Sequence, residues 1–115
     1  AVAMAHDGAQ VWLMSRTQGE LDAAVAEINR AGGKAHALVC DVTDAAAVKD
    51  AVAQLPRLDV LVNNAGTNIP EPFVNVSEAN LDHVLNLNIR AMFITAQAAV
   101  KKCRKIRSAN HAVAV

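Results

Sequence analysis

The amino-acid sequence predicts an α/β fold in which a parallel sheet carries helices on both faces. Short apolar runs such as residues 11–14 have the pattern of strands that are covered on both sides. They alternate with segments whose apolar residues repeat at helical spacing, and this alternation requires right-handed crossovers between parallel strands. The chain has 115 residues, 53% apolar and 19% charged. This length and balance fit one domain, so we assign residues 1–115 to a single domain.

The elements follow one another regularly along the chain. The predicted strands are residues 9–15, 35–40, 59–63 and 111–115. The first full helix is predicted between Thr17 and Gly32, because Thr17 and Glu20 have the spacing of a capping box and a glycine commonly ends a helix. A second helix follows Asp44 and ends before Pro56.

A long third helix is predicted from Ser77, which can cap it, to about Arg107. Its predicted inward stripe is apolar except for Asn88 and consists of Leu81, Val84, Leu85, Met92, Ala96 and Ala99. A buried amide requires partners, so Asn88 either bonds main chain to fix the packing of the helix or holds a water or a kink beside an active site. Apolar residues also lie off this stripe, which predicts a subunit interface along residues 80–104.

Composition argues against several classes of partner. Eleven basic residues balance eleven acidic ones, so no overall field attracts nucleic acid or an anionic membrane. The basic residues at 101–107 have no interleaved aromatic residue and are expected to form a solvated helix end. The two cysteines and four histidines lack the spacing of a zinc site, so we predict no metal. Free thiols fit a reducing compartment, and no apolar run is long enough to span a bilayer; we expect a cytoplasmic location.

Candidate binding residues follow the strands, because ligands of open parallel sheets bind outside the carboxyl ends of the strands. They are Ser15, Arg16, Thr17, Asp41, Val42, Asn63, Asn64, Ala65 and Gly66. Arg16 is either an ordinary exposed arginine or a ligand for the 2′-phosphate of a dinucleotide. Asp41 can accept from N–H groups of the following helix or from an adenine amino group. Segment 63–66 is either a plain turn or a place where a ligand approaches the main chain closely.

Together these residues resemble the short-chain dehydrogenase/reductase family. The matching segments are Gly8-Ala9-Gln10-Val11, Ser15-Arg16, Cys40-Asp41-Val42-Thr43-Asp44, residues 58–66, Leu85-Asn86-Leu87-Asn88-Ile89 and Phe93. They cover nearly the whole chain in the order and spacing of the family. The resemblance implies a Rossmann-type doubly wound parallel sheet with strand order 3-2-1-4-5.

The resemblance also implies roles for the candidate residues. Arg16 would favour NADP over NAD, with Ser15 and Thr17 assisting at the same phosphate. Asp41 and the main chain of Val42 would hold the adenine ring. After the third strand, Asn63, Ala65 and Gly66 would lie against the ribose and diphosphate. Asn64 would tie this strand end to a glycine-rich turn.

For the long helix, the resemblance makes Asn88 the catalytic asparagine, which anchors a water in a proton relay, and makes residues 80–104 a subunit contact in a homo-oligomer. The expected function is therefore hydride transfer between NADP(H) and a small alcohol or carbonyl substrate. The alternatives are a non-catalytic dinucleotide-binding regulator and a subunit-assembly module of the same fold.

Two features of the family have no counterpart in the sequence. No glycine-rich turn is present, and the chain contains no Tyr to serve as the general acid. We therefore expect an incomplete domain that is truncated at both ends and inactive by itself. Without the family's first strand, the strands ending at Ser15 and Asn63 would lose a central partner, and the isolated 115 residues are expected to be molten or to aggregate.

Overall fold

The computed structural model describes the main chain of residues 1–105 and 112–114 and the side chains of residues 1–103. Within that part of the chain the helices are α1 (Val2–His6), α2 (Gln18–Arg30), α3 (Ala45–Gln54), α4 (Glu78–Leu85) and α5 (Met92–Lys105), with a π turn (Asn86–Ala91) joining the last two. A short 3-10 turn covers Phe73–Asn75. The strands are β1 (Gln10–Ser15), β2 (Lys34–Val39), β3 (Val60–Val62) and β4 (Ala112–Ala114).

All strand pairs are parallel, as the sequence predicts, and the sheet order is β2-β1-β4-β3. The first three predicted strands are present with ends shifted by at most one residue, and residues 112–114 of the predicted fourth strand also form a strand. The predicted end of the long helix near Arg107 lies outside the described residues, as do His111 and Val115 at the two ends of the predicted fourth strand.

The position of β4 corrects one expectation. The strands that end at Ser15 and at Val62 were expected to lack a partner between them, yet β4 lies there and pairs with both, at Val11–Leu13 of β1 and at Val60–Val62 of β3. A buried strand edge exposes unpaired N–H and C=O groups, and an apolar strand of the same chain satisfies them. The edge of β1 is filled only in part. Its pairing with β4 stops at Leu13, so Met14 and Ser15 extend beyond the paired residues.

Helices pack on both faces of the sheet. On one face Ala5 of α1 and Ile28 of α2 pack against Val11 and Ala35. On the other face α3 and α5 cover Met14 and Cys40, with Val48 and Ala99 in the same core. Gly8 and Gly32, at φ values of +91° and +85°, follow α1 and α2 and let the chain turn into the next strand.

Side chains cap two helix starts, of which the cap at Ser77 was predicted, and a third predicted cap is absent. The Asp44 carboxylate accepts from the N–H groups of Ala46 and Ala47, and the Ser77 hydroxyl accepts from the N–H of Asn80. The capping box predicted for Thr17 and Glu20 is wrong. Thr17 is the N-cap of α2, but its side chain makes no capping hydrogen bond.

The inward stripe predicted for the long helix is correct in part, since Ala99 belongs to it and is buried, but it is wrong at its larger residues. Leu81, Leu85 and Met92 are exposed, whereas Ala91, Thr95 and Ala99 are buried. The buried face consists of small residues, which let the helix approach α3 and the sheet closely, and the Thr95 hydroxyl donates to the carbonyl of Ala91 at 2.9 Å. Of the larger apolar side chains, Leu81, Leu85 and Met92 therefore face outward, whereas Leu87 and Ile94 pack partly on the core. Among the described residues no helix combines the length and apolar character needed to cross a bilayer.

Candidate functional site

The first group of candidate residues lies where β1 ends and α2 begins. β1 and β2 remain paired to this point, because the N–H of Cys40 donates to the carbonyl of Ser15 at 3.0 Å. The Ser15 hydroxyl accepts from the N–H of Thr17 at 3.3 Å and shapes the turn. Arg16 is exposed at the tip of this turn. Its guanidinium is thus presented to solvent from a fixed point of the sheet.

Asp41 follows β2, the strand next to β1, and so lies at the same edge of the sheet as Arg16. Its Oδ1 accepts from the N–H of Thr43 at 2.8 Å and from the Thr43 hydroxyl at 2.7 Å. These bonds, together with the positive charge of Arg16, hold the pKa of the Asp41 carboxyl below its ordinary value. Two roles were predicted for Asp41, and the capping of the following helix is wrong, because Asp44 caps α3. Asp41 is an ionised carboxylate whose other oxygen, Oδ2, accepts no hydrogen bond from the described residues.

The residues next to Asp41 are apolar and buried. Val42 and Cys40 both belong to the core. Burial raises the pKa of the Cys40 thiol, and the nearby carboxylates of Asp41 and Asp44 raise it further. The Cys40 thiol is therefore a packing group rather than a nucleophile.

The segment after β3 is open to solvent. Asn63, Asn64 and Gly66 are exposed, whereas Ala65 is half-buried and packs on the core. Among the described residues, Asn64 and Ser15 line one cavity of about 370 Å³ at the carboxyl ends of β1 and β3, beside the first turns of α2. The structure thus brings Ser15 and Asn64 together in one cavity, and it places Arg16 and Asp41 after the ends of two neighbouring strands.

Asn88 lies in the π turn and binds the loop that follows β3. Its Oδ1 accepts from the N–H of Thr67, and its Nδ2 donates to the carbonyl of Thr67, both at 2.8 Å. Gly66 allows this contact, because a Cβ at that position would lie 3.2 Å from Asn88 Oδ1. Asn88 therefore bonds main chain, which is one of its two predicted roles, and it does so from the π turn.

Sequence reasoning missed two residues of this site. Thr43 donates two hydrogen bonds to Asp41. The only sequence signal for this contact was that Thr43 lies two residues after an aspartate, which is the spacing of a local side-chain turn. Thr67 is the second missed residue, and it takes part through its main chain. Its partner Asn88 is 21 positions away, so no local pattern connects them. The described residues contain no cluster of three metal-ligating side chains.

A parallel sheet with helices on both faces and small or polar residues gathered at the carboxyl ends of its strands defines a Rossmann-type fold. The chain also matches the family described as short chain dehydrogenase over residues 1–112. It belongs to the short-chain dehydrogenase/reductase family, as its sequence motifs predict.

Individual relatives agree with this assignment. The chain is 39% identical over 106 residues to a cyclopentanol dehydrogenase of Comamonas testosteroni, covering 89% of this chain and 42% of that protein. It is 36% identical over 105 residues to a gluconate 5-dehydrogenase of Gluconobacter oxydans, covering 88% and 41% respectively. A crystal structure of a 3-ketoacyl-ACP reductase from Sinorhizobium meliloti superposes with a TM-score of 0.84 at 31% identity, covering 99% of this chain and 46% of that one. The chain thus spans less than half the length of these relatives.

Proposed function

We propose that this chain is the cofactor-binding part of an oxidoreductase that transfers a hydride between NADP(H) and a small alcohol or carbonyl compound. The observation that carries the proposal is that Arg16 and Asp41, a cation and a carboxylate, follow two adjacent strand ends at the edge where this fold binds dinucleotides. The relatives named above are dehydrogenases and a reductase, which supports the reaction class.

The residues present fit the adenosine half of such a cofactor. The exposed guanidinium of Arg16 can form a bidentate contact with a 2′-phosphate, and Ser15 and Thr17 provide hydroxyls in the same turn. Asp41 Oδ2 can accept from an adenine amino group, with the Val42 main chain beside it. Asn63, Ala65 and Gly66 leave the main chain after β3 accessible to the ribose and diphosphate, and Asn64 lines the adjoining cavity.

The nicotinamide cofactor supplies the hydride chemistry when it is bound. Asn88 then serves the reaction in two ways. Its side chain positions the loop after β3, since both of its polar groups are engaged with Thr67. A water of the proton relay would donate to the remaining lone pair of Oδ1 or to a main-chain carbonyl of the π turn. A π turn is a distortion of the α-helix that is frequent at functional sites.

The first experiment measures binding of NADPH and NADH to the full-length protein and to Arg16→Leu. Hydrogen bonds to charged groups contribute about 1.5–3 kcal/mol, so the Kd for NADPH should rise by about tenfold or more while that for NADH stays unchanged. Arg30→Leu is the matched control, because Arg30 is an exposed arginine at the other end of α2. Equal affinity of the wild type for both cofactors, or an equal loss of both in Arg16→Leu, would contradict the NADP assignment.

A second experiment separates an enzyme from a dinucleotide-binding regulator. The full-length protein is assayed for absorbance changes of the nicotinamide with a panel of small secondary alcohols and ketones. Turnover that falls in Asn88→Ala, while NADPH binding remains, supports the enzyme. Cofactor binding without turnover for any member of the panel favours the regulator.

We also propose that residues 1–115 form part of a single domain of a cytoplasmic protein that self-associates through residues 80–104. Cys40 and Cys103 are free thiols, as expected in a reducing compartment. The self-association is supported by the outward apolar face of the long helix, where Ile89 and Phe93 are 56% and 65% exposed.

A further inference from the structure

A groove with a volume of about 280 Å³ lies between α3 and α5. In its lining, α3 contributes Lys49 and Val52, and α5 contributes Gln97, Ala98, Lys101 and Lys102. None of these residues is among the candidates that follow the strand ends. The α3–α5 groove is therefore distinct from the edge of the sheet that is proposed to bind the cofactor.

The charge of the groove is positive throughout. Its lining contains three lysines and, among the described residues, no acidic side chain. Lys49 and Lys101 are exposed and form no ion pair with any side chain that the structure describes. Because the whole chain has no net charge, these cations are a local excess. A cleft lined by charges of one sign concentrates ligands of the opposite sign, so the groove favours an anion.

The helix dipole explains only one of the three lysines. It favours cations in the last turn of a helix, where carbonyl groups are unpaired. Lys102 fits this explanation, because its Nζ donates to the carbonyl of Ala53, in the last turn of α3, at 2.8 Å. Lys49 does not, since the last turn of α3 contains no basic residue, and Lys101 lies before the last turn of α5. The dipole therefore does not account for Lys49 and Lys101.

The groove also contains a small apolar surface. Val52 is 3% exposed and belongs to the core, and Ala98 is half-buried and packs against the same core. An inorganic anion would leave this surface in contact with water. A ligand with a short carbon chain next to its charged group would cover the apolar surface and remove it from water.

A phosphate monoester has the charge and the acceptors that the groove requires. At neutral pH the group carries a charge of about −1.5 to −2 and three strong acceptor oxygens. Lysine is a common ligand of phosphate. An ammonium group has three donors, so Lys102 keeps two after its bond to Ala53, and the Gln97 amide offers another donor. The groove is close to the lower limit of about 300 Å³ for small-molecule pockets, so the ester is small.

We propose that the α3–α5 groove binds a small phosphate monoester, with the phosphate held by Lys49, Lys101 and Lys102 and the carbon chain on Val52 and Ala98. The proposal goes beyond hydride transfer and does not depend on it, because none of these residues belongs to the proposed cofactor site.

The test measures binding of butyl phosphate to the full-length protein by NMR, from the amide signals of Ala53 and Ala98. The variants are Lys49→Gln, Lys101→Gln and the double variant. Each single variant removes one exposed cation, so the Kd should rise by about threefold, and by about tenfold when both are removed. Lys34→Gln is the matched control, because Lys34 is an exposed lysine at the start of β2 and the charge change is the same.

Inorganic phosphate and butanol test the two parts of the ligand separately. Inorganic phosphate lacks the carbon chain and should bind at least about threefold more weakly than butyl phosphate. Butanol lacks the charge and should not shift the two amide signals. Equal Kd values for butyl phosphate and inorganic phosphate would overturn the assignment of an ester.

Two further results would overturn the proposal. One is a wild type in which butyl phosphate causes no saturable shift of the Ala53 and Ala98 signals. The other is a Kd that Lys34→Gln raises as much as Lys49→Gln and Lys101→Gln do, because binding would then follow net charge rather than the groove.

Arg16→Leu separates this proposal from the proposed cofactor function. It should leave the Kd for butyl phosphate unchanged, and loss of butyl phosphate binding in this variant would overturn the groove as the site. A wild type that does not bind NADPH, but binds butyl phosphate with the lysine dependence above, would overturn the cofactor function and support the groove.

Discussion

The Asn88 carboxamide forms a two-point hydrogen-bonded contact with the main chain of Thr67, with both distances at 2.8 Å. The contact joins the π turn of the long helix to the first residues of the loop after β3. An amide side chain is the group suited to this geometry, because it offers one acceptor and one donor side by side, as a peptide group requires. The candidate active site is therefore positioned by a side chain from a helix rather than by the loop itself.

Asn88→Ala removes both hydrogen bonds. Thr67 is half-buried, and its N–H and carbonyl would lose their Asn88 partners, so the free energy of unfolding should fall by about 1–3 kcal/mol. Urea denaturation measures this change. Gln97→Ala, which removes an exposed amide from α5, is the control for helix propensity. Its free energy of unfolding should be within about 0.5 kcal/mol of that of the wild type. Equal effects of the two variants would show that the Asn88–Thr67 contact contributes nothing.

Asn88→Asp tests the polarity of the same contact. The carboxylate keeps the acceptor for the Thr67 N–H but places a negative charge against the Thr67 carbonyl oxygen. A proton on the carboxyl restores a donor, so this variant should gain stability relative to wild type as the pH falls. A pH-independent difference between Asn88→Asp and wild type would contradict the two-point geometry.

The sequence could predict which residues form the strands, since four apolar runs of strand length alternate with helices. It could not predict where β4 lies, because pairing depends on which other edges of the sheet are open. The strand at Ala112–Ala114 was assigned from its own residues, but its position between β1 and β3 follows from the unpaired edges of those two strands.

The inward face of the long helix was misassigned at its larger residues for a different reason. A helix that is apolar around its whole circumference offers more than one stripe with the right period, and hydrophobicity alone does not select among them. The selected face contains Ala91, Thr95 and Ala99, whose small size permits close packing. Asn88 was correctly singled out nonetheless, because a polar residue within an apolar segment requires partners wherever the face points.

Gly66→Ala tests the close approach between the loop and the helix. The added Cβ would lie 3.2 Å from Asn88 Oδ1, so either the loop or the carboxamide has to move by a few tenths of an ångström. We expect a loss of about 1 kcal/mol in the free energy of unfolding, in line with mild overpacking. If the strain acts through Asn88, Gly66→Ala and Asn88→Ala should be non-additive in a double-mutant cycle.

Gly19→Ala is the control for the effect of an added methyl group. Gly19 lies in α2, and a Cβ there would meet no atom within 4 Å. Alanine in place of an unstrained helical glycine should stabilise the protein by about 0.4–1 kcal/mol. Thermal or urea unfolding should therefore shift in opposite directions for the two glycine variants; shifts in the same direction would show that the 3.2 Å approach is not a constraint.

Acidification should destabilise the protein through Asp41. The two hydrogen bonds from Thr43, together with the charge of Arg16, lower the pKa of the folded-state carboxyl below its ordinary value of 3.8. The folded state therefore binds this proton more weakly than the unfolded chain. The resulting stabilisation is complete above the unfolded pKa and is lost as the pH falls through the folded pKa, below about pH 4.

Thr43→Val isolates the largest cause of this shift, because it removes the hydroxyl donor and keeps the main-chain N–H and a similar shape. NMR titration of the Asp41 carboxyl carbon should show its pKa moving back toward 3.8 in the variant. The stability difference between wild type and Thr43→Val should be largest at neutral pH and narrow toward pH 2. Thr17→Val is the control, since the Thr17 hydroxyl makes no capping bond, and its effect should not change across this range. An unchanged Asp41 pKa in Thr43→Val would show that the Thr43 hydroxyl does not stabilise the carboxylate.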